Sequence, residues 1–427
     1  MNAVAYRCPC CGASLEYGAQ SGKLECKACG NQYELDALEA INAPKMESDI
    51  HFDMPADAFD AQEAAQIRAY VCEACGAELM TEETTTATQC PYCGSPTILP
   101  ERIEDSVKPE WVIPFSVSQE QAQRQFEEYF KGKKLLPNVF RSSRNRIDTM
   151  RKLYVPYWLF DCAAAGHIVF DAQKKRVNRQ GDWEITETDH YIVSRAGEMN
   201  FKNIPVDGSA KLDNRITESL EPYDMSAAVP FAPAVLAGAM ADHADVNSVD
   251  CEERACQRVK NSLEQALRST VSGYTAVSAR DKSFRTKDSK ATPVLMPVWL
   301  MTTEKEGTTY TFAVNGQTGK LTCDVPADPK RTLLWGGSVF AVVLALACSA
   351  LYISQMLESG TLLMAVILAL IAGAAAVGIL KGQLKQAASV HSAGNYAVQD
   401  SFALLDRQDH FLHTTQTRRK IEQKKKD

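Results

Sequence analysis

Cys8-Pro9-Cys10-Cys11-Gly12-Ala13-Ser14-Leu15, closed by Cys26-Lys27-Ala28-Cys29-Gly30, returns 64 residues later as Cys72-Glu73-Ala74-Cys75-Gly76-Ala77-Glu78-Leu79, closed by Cys90-Pro91-Tyr92-Cys93-Gly94. Each quartet is a Cys-x2-Cys pair, a spacer of 14 residues and a second Cys-x2-Cys pair, so the stretch is an internal repeat. Two residues between thiolates let one tight turn present both sulfurs to one ion. Four thiolates fill the tetrahedral sphere that structural zinc prefers and leave no open position for chemistry. A glycine after each knuckle (Gly12, Gly30, Gly76, Gly94) permits positive φ and lets amides face the sulfurs. The spacer is long enough for a short β-hairpin that brings the second knuckle back. Metal affinity on the order of 10–16 kcal/mol would hold such modules, which are too small for a core of their own. The expectation is two structural zinc ions per chain, one on Cys8, Cys11, Cys26 and Cys29, the other on Cys72, Cys75, Cys90 and Cys93. Disulfides would require an oxidising compartment. A rubredoxin-like iron site, which Cys90-Pro91-Tyr92-Cys93-Gly94 half matches, would want a longer spacer and an aromatic cluster. Cys10 is out of register with the second repeat and reads as a spare thiol.

Outward from the ribbons, charge is uneven. The 427 residues carry a net −7, yet residues 1–105 hold 6 Lys/Arg against 18 Asp/Glu (−12) and residues 381–427 hold 9 against 5 (+4), leaving the middle near neutral. The first ribbon has three basic and three acidic residues, and the second, residues 71–100, has four acidic residues and no Lys or Arg. Such a surface repels phosphate, so nucleic acid is not the expected partner. Between the ribbons, residues 36–70 are acidic and read as a linker with one helix over 56–69. The N-terminus is polar and Cys-rich, unlike a signal peptide.

Residues 333–354 contain no charge, and neither do residues 361–380. At 1.5 Å per residue each is long enough to cross a hydrocarbon core of about 30 Å, and both are apolar all round. A six-residue loop with one charge, Glu358, joins them. Lys330 and Arg331 precede the pair, Lys381 and Lys385 follow it, and the positive-inside rule places both termini in the cytoplasm. Ala369/Gly373 and Ala372/Ala376 suit close helix packing. The tail beyond residue 385 fits a helix or a β-hairpin equally. Its Arg418-Arg419-Lys420 and Lys424-Lys425-Lys426 clusters suit an anionic surface, an acidic partner or plain solvation.

The middle of the chain reads as alternating short strands and helices. Ser118-x-x-Gln121 is a capping box before Ala122, Phe126, Tyr129 and Phe130 on one helical face. Ala255, Cys256, Val259, Leu263 and Leu267 make a second stripe, in which Cys256 reads as a core thiol. His167 to Phe170 and His190 to Val193 read as strands. Tyr310, Phe312 and Val314 alternate before the turn Asn315-Gly316-Gln317-Thr318-Gly319, and Leu321, Cys323 and Val325 return. Leu153-Tyr154-Val155-Pro156-Tyr157-Trp158-Leu159 and Leu295-Met296-Pro297-Val298-Trp299-Leu300 share Pro-x-Trp-Leu, which reads as the buried start of an edge strand, with a pair of aromatic ligand platforms as the alternative.

Catalytic motifs are missing. Asn315-Gly316-Gln317-Thr318-Gly319-Lys320 ends like a phosphate loop, but Leu321 stands where Ser or Thr should bind magnesium. None of His51, His167, His190, His243, His391, His410 and His413 has a ligand partner at helical or ribbon spacing.

Paired ribbons, Pro-x-Trp, Ile204-Pro205-Val206-Asp207-Gly208-Ser209, Val314-Asn315-Gly316-Gln317-Thr318-Gly319-Lys320 and a late hairpin together resemble the bacterial TFIIB-type zinc-ribbon-containing membrane proteins over nearly the whole chain. That resemblance implies association with phage-shock-protein-A-like and flotillin-like (SPFH) proteins in envelope stress, as membrane anchor or recruiter, and carries over no catalytic residue. The expected architecture is an α+β multidomain membrane protein: ribbon 1 (1–36), acidic linker (37–69), ribbon 2 (70–101), a mixed α+β cytosolic domain (106–330), a transmembrane hairpin (331–381, spans 333–354 and 361–380) and a basic cytosolic tail (382–427). The expected function is a non-enzymatic scaffold at the inner membrane that recruits cytosolic or membrane-associated proteins. The alternatives are a tethered nucleic-acid-binding ribbon protein and an enzyme with its site in the middle domain.

Overall fold

The computed structural model describes residues 6–42, 47–54, 57–82, 89–96, 98–101, 107–137, 150–246, 248–305, 308–323, 325, 327–355, 358–384 and 387–420. Lys385 and the Lys424–Lys426 cluster lie outside them. The protein is mixed α+β, with two four-cysteine clusters and two long apolar helices.

Ribbon 1 carries β1 (Glu16–Gly18), β2 (Lys23–Glu25) and β3 (Gln32–Tyr33), an antiparallel sheet in that order, so its spacer is the expected hairpin. Helix α1 (Leu35–Asn42) follows at once and buries Ala37 and Leu38. The helix expected over 56–69 shrinks to one turn, α2 (Ala61–Ala64), because β4 (Ile67–Cys72) already begins at Ile67. The segment read as linker is also laced down. The Asp49 amide donates to the Phe284 carbonyl (2.9 Å), and the Ala291 amide donates to the Asp53 carbonyl (2.8 Å). Phe52 between them is buried edge-on against Phe160, 4.9 Å between ring centroids. In ribbon 2, β4 pairs antiparallel with both β5 (Glu78–Glu82) and β6 (Ile98–Glu101).

The body follows with β7 (Trp111–Val112), α3 (Gln119–Phe130), β8 (Arg151–Gln180), β9 (Trp183–Asp207), α4 (Asn214–Leu220), β10 (Val229–Pro230), β11 (Met240–Asp242), α5 (Ser248–Ser269), β12 (Ala276–Lys305), β13 (Thr308–Asn315) and β14 (Leu321–Cys323). The expectation of short strands fails for three of these. β8 and β12 have 30 residues each and β9 has 25, so each 30-residue strand extends for about 100 Å. His167–Phe170 and His190–Val193 are pieces of two of them. The stretch Ala163-Ala164-Ala165-Gly166 hides the continuity, since Ala and Gly are poor strand formers. Tertiary packing explains their presence. Gly166 sits opposite Gly197 on β9. A Cβ at Gly166 would lie 2.9 Å from both Leu263 and Phe284, and one at Gly197 would lie 2.9 Å from Leu267, so the small residues let α5 press onto the long arm that β8, β9 and β12 form. Both anticipated amphipathic helices form: α3 with its capping box and Ala122, Phe126 and Phe130 buried, and α5 with its five-residue stripe buried.

β8 and β12 run antiparallel at the centre of the sheet, and the duplicated phrases lie side by side, Leu295 opposite Pro156 and Pro297 opposite Tyr154. Neither phrase starts an edge strand. Each proline occupies a gap between two neighbours on its flank. β11 pairs with β8 at Leu153 and Tyr154, and β9 takes over at Tyr157. β7 pairs with β12 at Val294 and Leu295, and β13 takes over at Val298. A missing N–H there removes no ladder bond. The two halves repeat one another further. Tyr157 faces Asp207 as Val298 faces Asn315, and Trp158 faces Val206 as Trp299 faces Val314. The Gly208 carbonyl accepts from the Asp245 and Val246 amides, while the Gly316 carbonyl accepts from Ser116 and Val117. The body is thus a duplicated strand–helix–strand–strand unit in which the first strand of each repeat pairs with the long strand of the other. Ribbon 2 extends the same sheet, because β5 pairs with β11.

Two apolar helices, α6 (Pro329–Ile353) and α7 (Ser359–Gly382), form an antiparallel pair beyond β14, with Ala365, Ala369 and Gly373 buried between them. After α7 the chain is stitched back into the body. The Ala387 amide donates to the Cys323 carbonyl (3.1 Å), the Val390 amide to a Glu218 carboxylate oxygen (2.7 Å), and the Tyr396 hydroxyl to Glu221 (2.7 Å). The tail is neither a helix nor a hairpin of its own. Residues Ala403–Lys420 form one strand, β15, paired antiparallel with β9 along the arm. Backbone pairing with a strand 200 residues away is a signal that local sequence does not carry.

Candidate metal centres

The four knuckles share one set of hydrogen bonds. Gly12, Gly30, Gly76 and Gly94 amides donate to the Cys8, Cys26, Cys72 and Cys90 carbonyls at 2.7–2.9 Å. The cysteine amides donate in turn to Ala13, Asn31, Ala77 and Ser95 carbonyls at 2.8–2.9 Å. All four glycines have φ between 65 and 77°, a region where a Cβ is strained. Each turn therefore points two thiols to one side.

The eight cysteines gather as the spacing required. Within each quartet the sulfurs lie inside 4.8 Å of one another, and either group could hold a metal ion. Cys8–Cys29 and Cys11–Cys26 are 3.6 and 3.4 Å apart, and Cys72–Cys93 and Cys75–Cys90 are both 3.6 Å apart. A tetrahedral ion with bonds of about 2.3 Å would set its sulfurs about 3.8 Å apart, so the donor set fits. A disulfide at about 2.05 Å does not. In each quartet the first cysteine of each pair is buried; Cys11, Cys29 and Cys93 face outward and Cys75 is half-buried. Cys10 is exposed and outside the cluster.

Two tyrosines that sequence reasoning passed over tie the clusters to the body. The Tyr33 hydroxyl lies 3.2 Å from the Cys8 sulfur, and its ring meets His413 of β15 edge-on at 6.2 Å. Burial disfavours the Cys8 thiolate, but the Tyr33 hydroxyl and the amides of Cys11 and Cys10 outweigh it and bring the thiol down to about 6. Tyr33, Leu38, Val169, Ile192 and Leu412 form one apolar cluster, so ribbon 1 rests on the middle of the arm. Tyr92, inside the last knuckle, donates to Asp242 at the end of β11 (2.5 Å), and Ser209 donates to the same carboxylate oxygen. Asp242 is fully buried. Burial raises its pKa to about 7, against the pull of the Ser209 and Tyr92 hydrogen bonds. A Tyr inside a Cys-x2-Cys knuckle and a Gly-Ser after a strand were visible, but nothing in the sequence joined them.

Among the described residues the histidines join no third cluster of metal-ligating groups. His190 and His413 stack at 4.6 Å, His167 meets Ser194 and His51 meets Glu252. Cys256 is buried in the core under α5, as expected. The Asn315–Lys320 turn is a hairpin closed by the Asn315 amide on the Lys320 carbonyl (2.8 Å).

The uncharacterized protein YdjG of Bacillus subtilis (strain 168) is 32% identical over 346 residues, which make up 80% of this chain and 97% of YdjG. The chain belongs to the YdjG family. No protein-family model matches it, and no solved structure does. The aligned stretch is too long to be ribbons alone, so YdjG shares much of the body as well.

Proposed function

We propose that this protein is a non-enzymatic, membrane-anchored scaffold. Its two quartets hold structural zinc, its helix pair spans the inner membrane with both termini cytoplasmic, and its ribbons and arm present a surface that recruits proteins to the inner face. The observation that carries this reading is the stitching of both ends of the helix pair into one body. β14 leads into α6, and the segment after α7 returns to β14, α4 and α5 before joining the sheet as β15. A bilayer crossed by the pair must then meet the body on one side only. Charge supports a protein partner: ribbon 2 has no Lys or Arg to neutralise phosphates, and an acidic ribbon pairs with a basic protein surface. Resemblance to the TFIIB-type zinc-ribbon membrane proteins makes SPFH-like or phage-shock-protein-A-like proteins the partners to seek.

The test is affinity purification of the full chain from solubilised membranes, with Cys72→Ser alongside. A partner recovered with the wild type and lost with the variant, while both remain in the membrane fraction, is the expected result. Recovery of no protein partner, or sub-micromolar binding of DNA or RNA by the full chain at low salt, overturns the reading.

A further inference from the structure

Between α6 and α7, at the end nearest the body, lies an apolar groove of about 920 Å³. Three glycines line it, Gly336, Gly337 and Gly373, and the two neighbours on α6 behave differently. A Cβ at Gly336 would sit 2.9 Å from Val377 and force the helices apart, whereas one at Gly337 would meet nothing within 4 Å. Gly336 therefore closes the helix pair, and Gly337 opens the groove beside it. The groove runs from Pro329 to Phe340 along α6. Eleven rises of 1.5 Å make about 16 Å, close to the depth of one leaflet of a core about 30 Å thick.

The mouth is cationic. Lys381 and Thr332 line it, and Lys330 and Arg331 occupy the first turn of α6. The Lys134 ammonium stands 4.1 Å over the ring of Trp335 one turn further on, where an amphipathic indole suits a headgroup boundary. The nearby acid, Asp328, is engaged as the helix cap, accepting from the Lys330 and Arg331 amides. Among the described residues neither Lys330 nor Lys381 makes an ion pair with a carboxylate. The occupant that matches is one leaflet long, apolar in its body and anionic at its head.

We infer that the groove between α6 and α7 binds one phospholipid of the inner leaflet, with an acyl chain along Gly337 and Phe340 and an anionic phosphate headgroup at Lys381 and Lys330. The inference rests on the proposed membrane hairpin. Such a lipid would hold the body at a set depth and favour anionic regions of the membrane.

The test is native mass spectrometry of the full chain in detergent, titrated with phosphatidylglycerol or with phosphatidylcholine of the same chains. Wild type, Lys381→Gln and Gly337→Leu are compared, and alkaline extraction of membranes checks that each is integrated. Wild type should retain one phosphatidylglycerol in preference to phosphatidylcholine. Lys381→Gln should lower that preference about fivefold, the effect of one cation near a headgroup. Gly337→Leu should reduce retention of both lipids. Integrated protein that holds the two lipids equally, or variants that match wild type, overturn the lipid site while leaving the hairpin standing. A chain dimer that carries no lipid assigns the groove to a second copy and also overturns it. Release of wild type by alkaline extraction defeats the hairpin itself.

Discussion

Replacing Trp299 by alanine is expected to unfold much of the body's margin of stability. The indole is 2% exposed and packs edge-on against Phe115 at 5.3 Å, in a cluster with Phe126, Phe130, Phe312 and Val314. Its Nε1 donates to the Val117 carbonyl at 2.9 Å, tying the chain before α3 to β12. Truncating a buried Trp costs about 3–5 kcal/mol, and a carbonyl deprived of its donor adds about 1 kcal/mol. A loss of about 4–6 kcal/mol approaches the whole stability of many domains. At about 2–4 °C per kcal/mol the midpoint should fall by roughly 10–20 °C. Trp299→Phe keeps an aromatic ring against Phe115 and loses the donor, so its cost should be about 1–2 kcal/mol. Thermal unfolding of the full chain in detergent, followed by intrinsic fluorescence and by circular dichroism, measures both. A midpoint within about 2 °C of wild type for the alanine variant would refute the packing argument and favour the aromatic platform.

Metal analysis of the purified full chain should give close to two zinc per chain, falling to one in Cys26→Ser and in Cys72→Ser; iron, or a metal-free protein, would reject the ribbons. Cys72→Ser should lower the melting temperature of the body more than Cys26→Ser does, because β5 of ribbon 2 pairs with β11 whereas ribbon 1 rests on the arm through side chains. Reporters sensitive to the periplasm, fused at either end, should both give the cytosolic signal, and opposite signals would mean that only one helix crosses. Asp242 titrates near 7 in the folded protein, above its ordinary value, so its contribution to stability is complete at acid pH and is lost as pH rises through 7. The stability of Asp242→Asn relative to wild type should therefore grow between pH 5 and pH 8, and parallel pH profiles would show that the carboxylate stays ionised throughout.

Sequence alone determined the parts whose signal is local. A Cys-x2-Cys-Gly turn needs only its own residues to aim two sulfurs, and the repeat of that turn at one spacing names both quartets. Twenty apolar residues without a charge declare a long apolar helix, and a capping box declares where α3 begins. Only the tertiary structure decided the rest. Three strands run for 25–30 residues, and β8 passes through Ala163-Ala164-Ala165-Gly166 because α5 needs small residues beneath it. Pro156 and Pro297 sit within central strands because each falls in a gap between flanking neighbours. Tyr92 finds Asp242 150 residues away, and β15 finds β9 more than 200 residues away. A strand carries its face in its alternation, but its partner is chosen by which edge is left free once everything else has packed, and that choice is written in no single stretch of the chain.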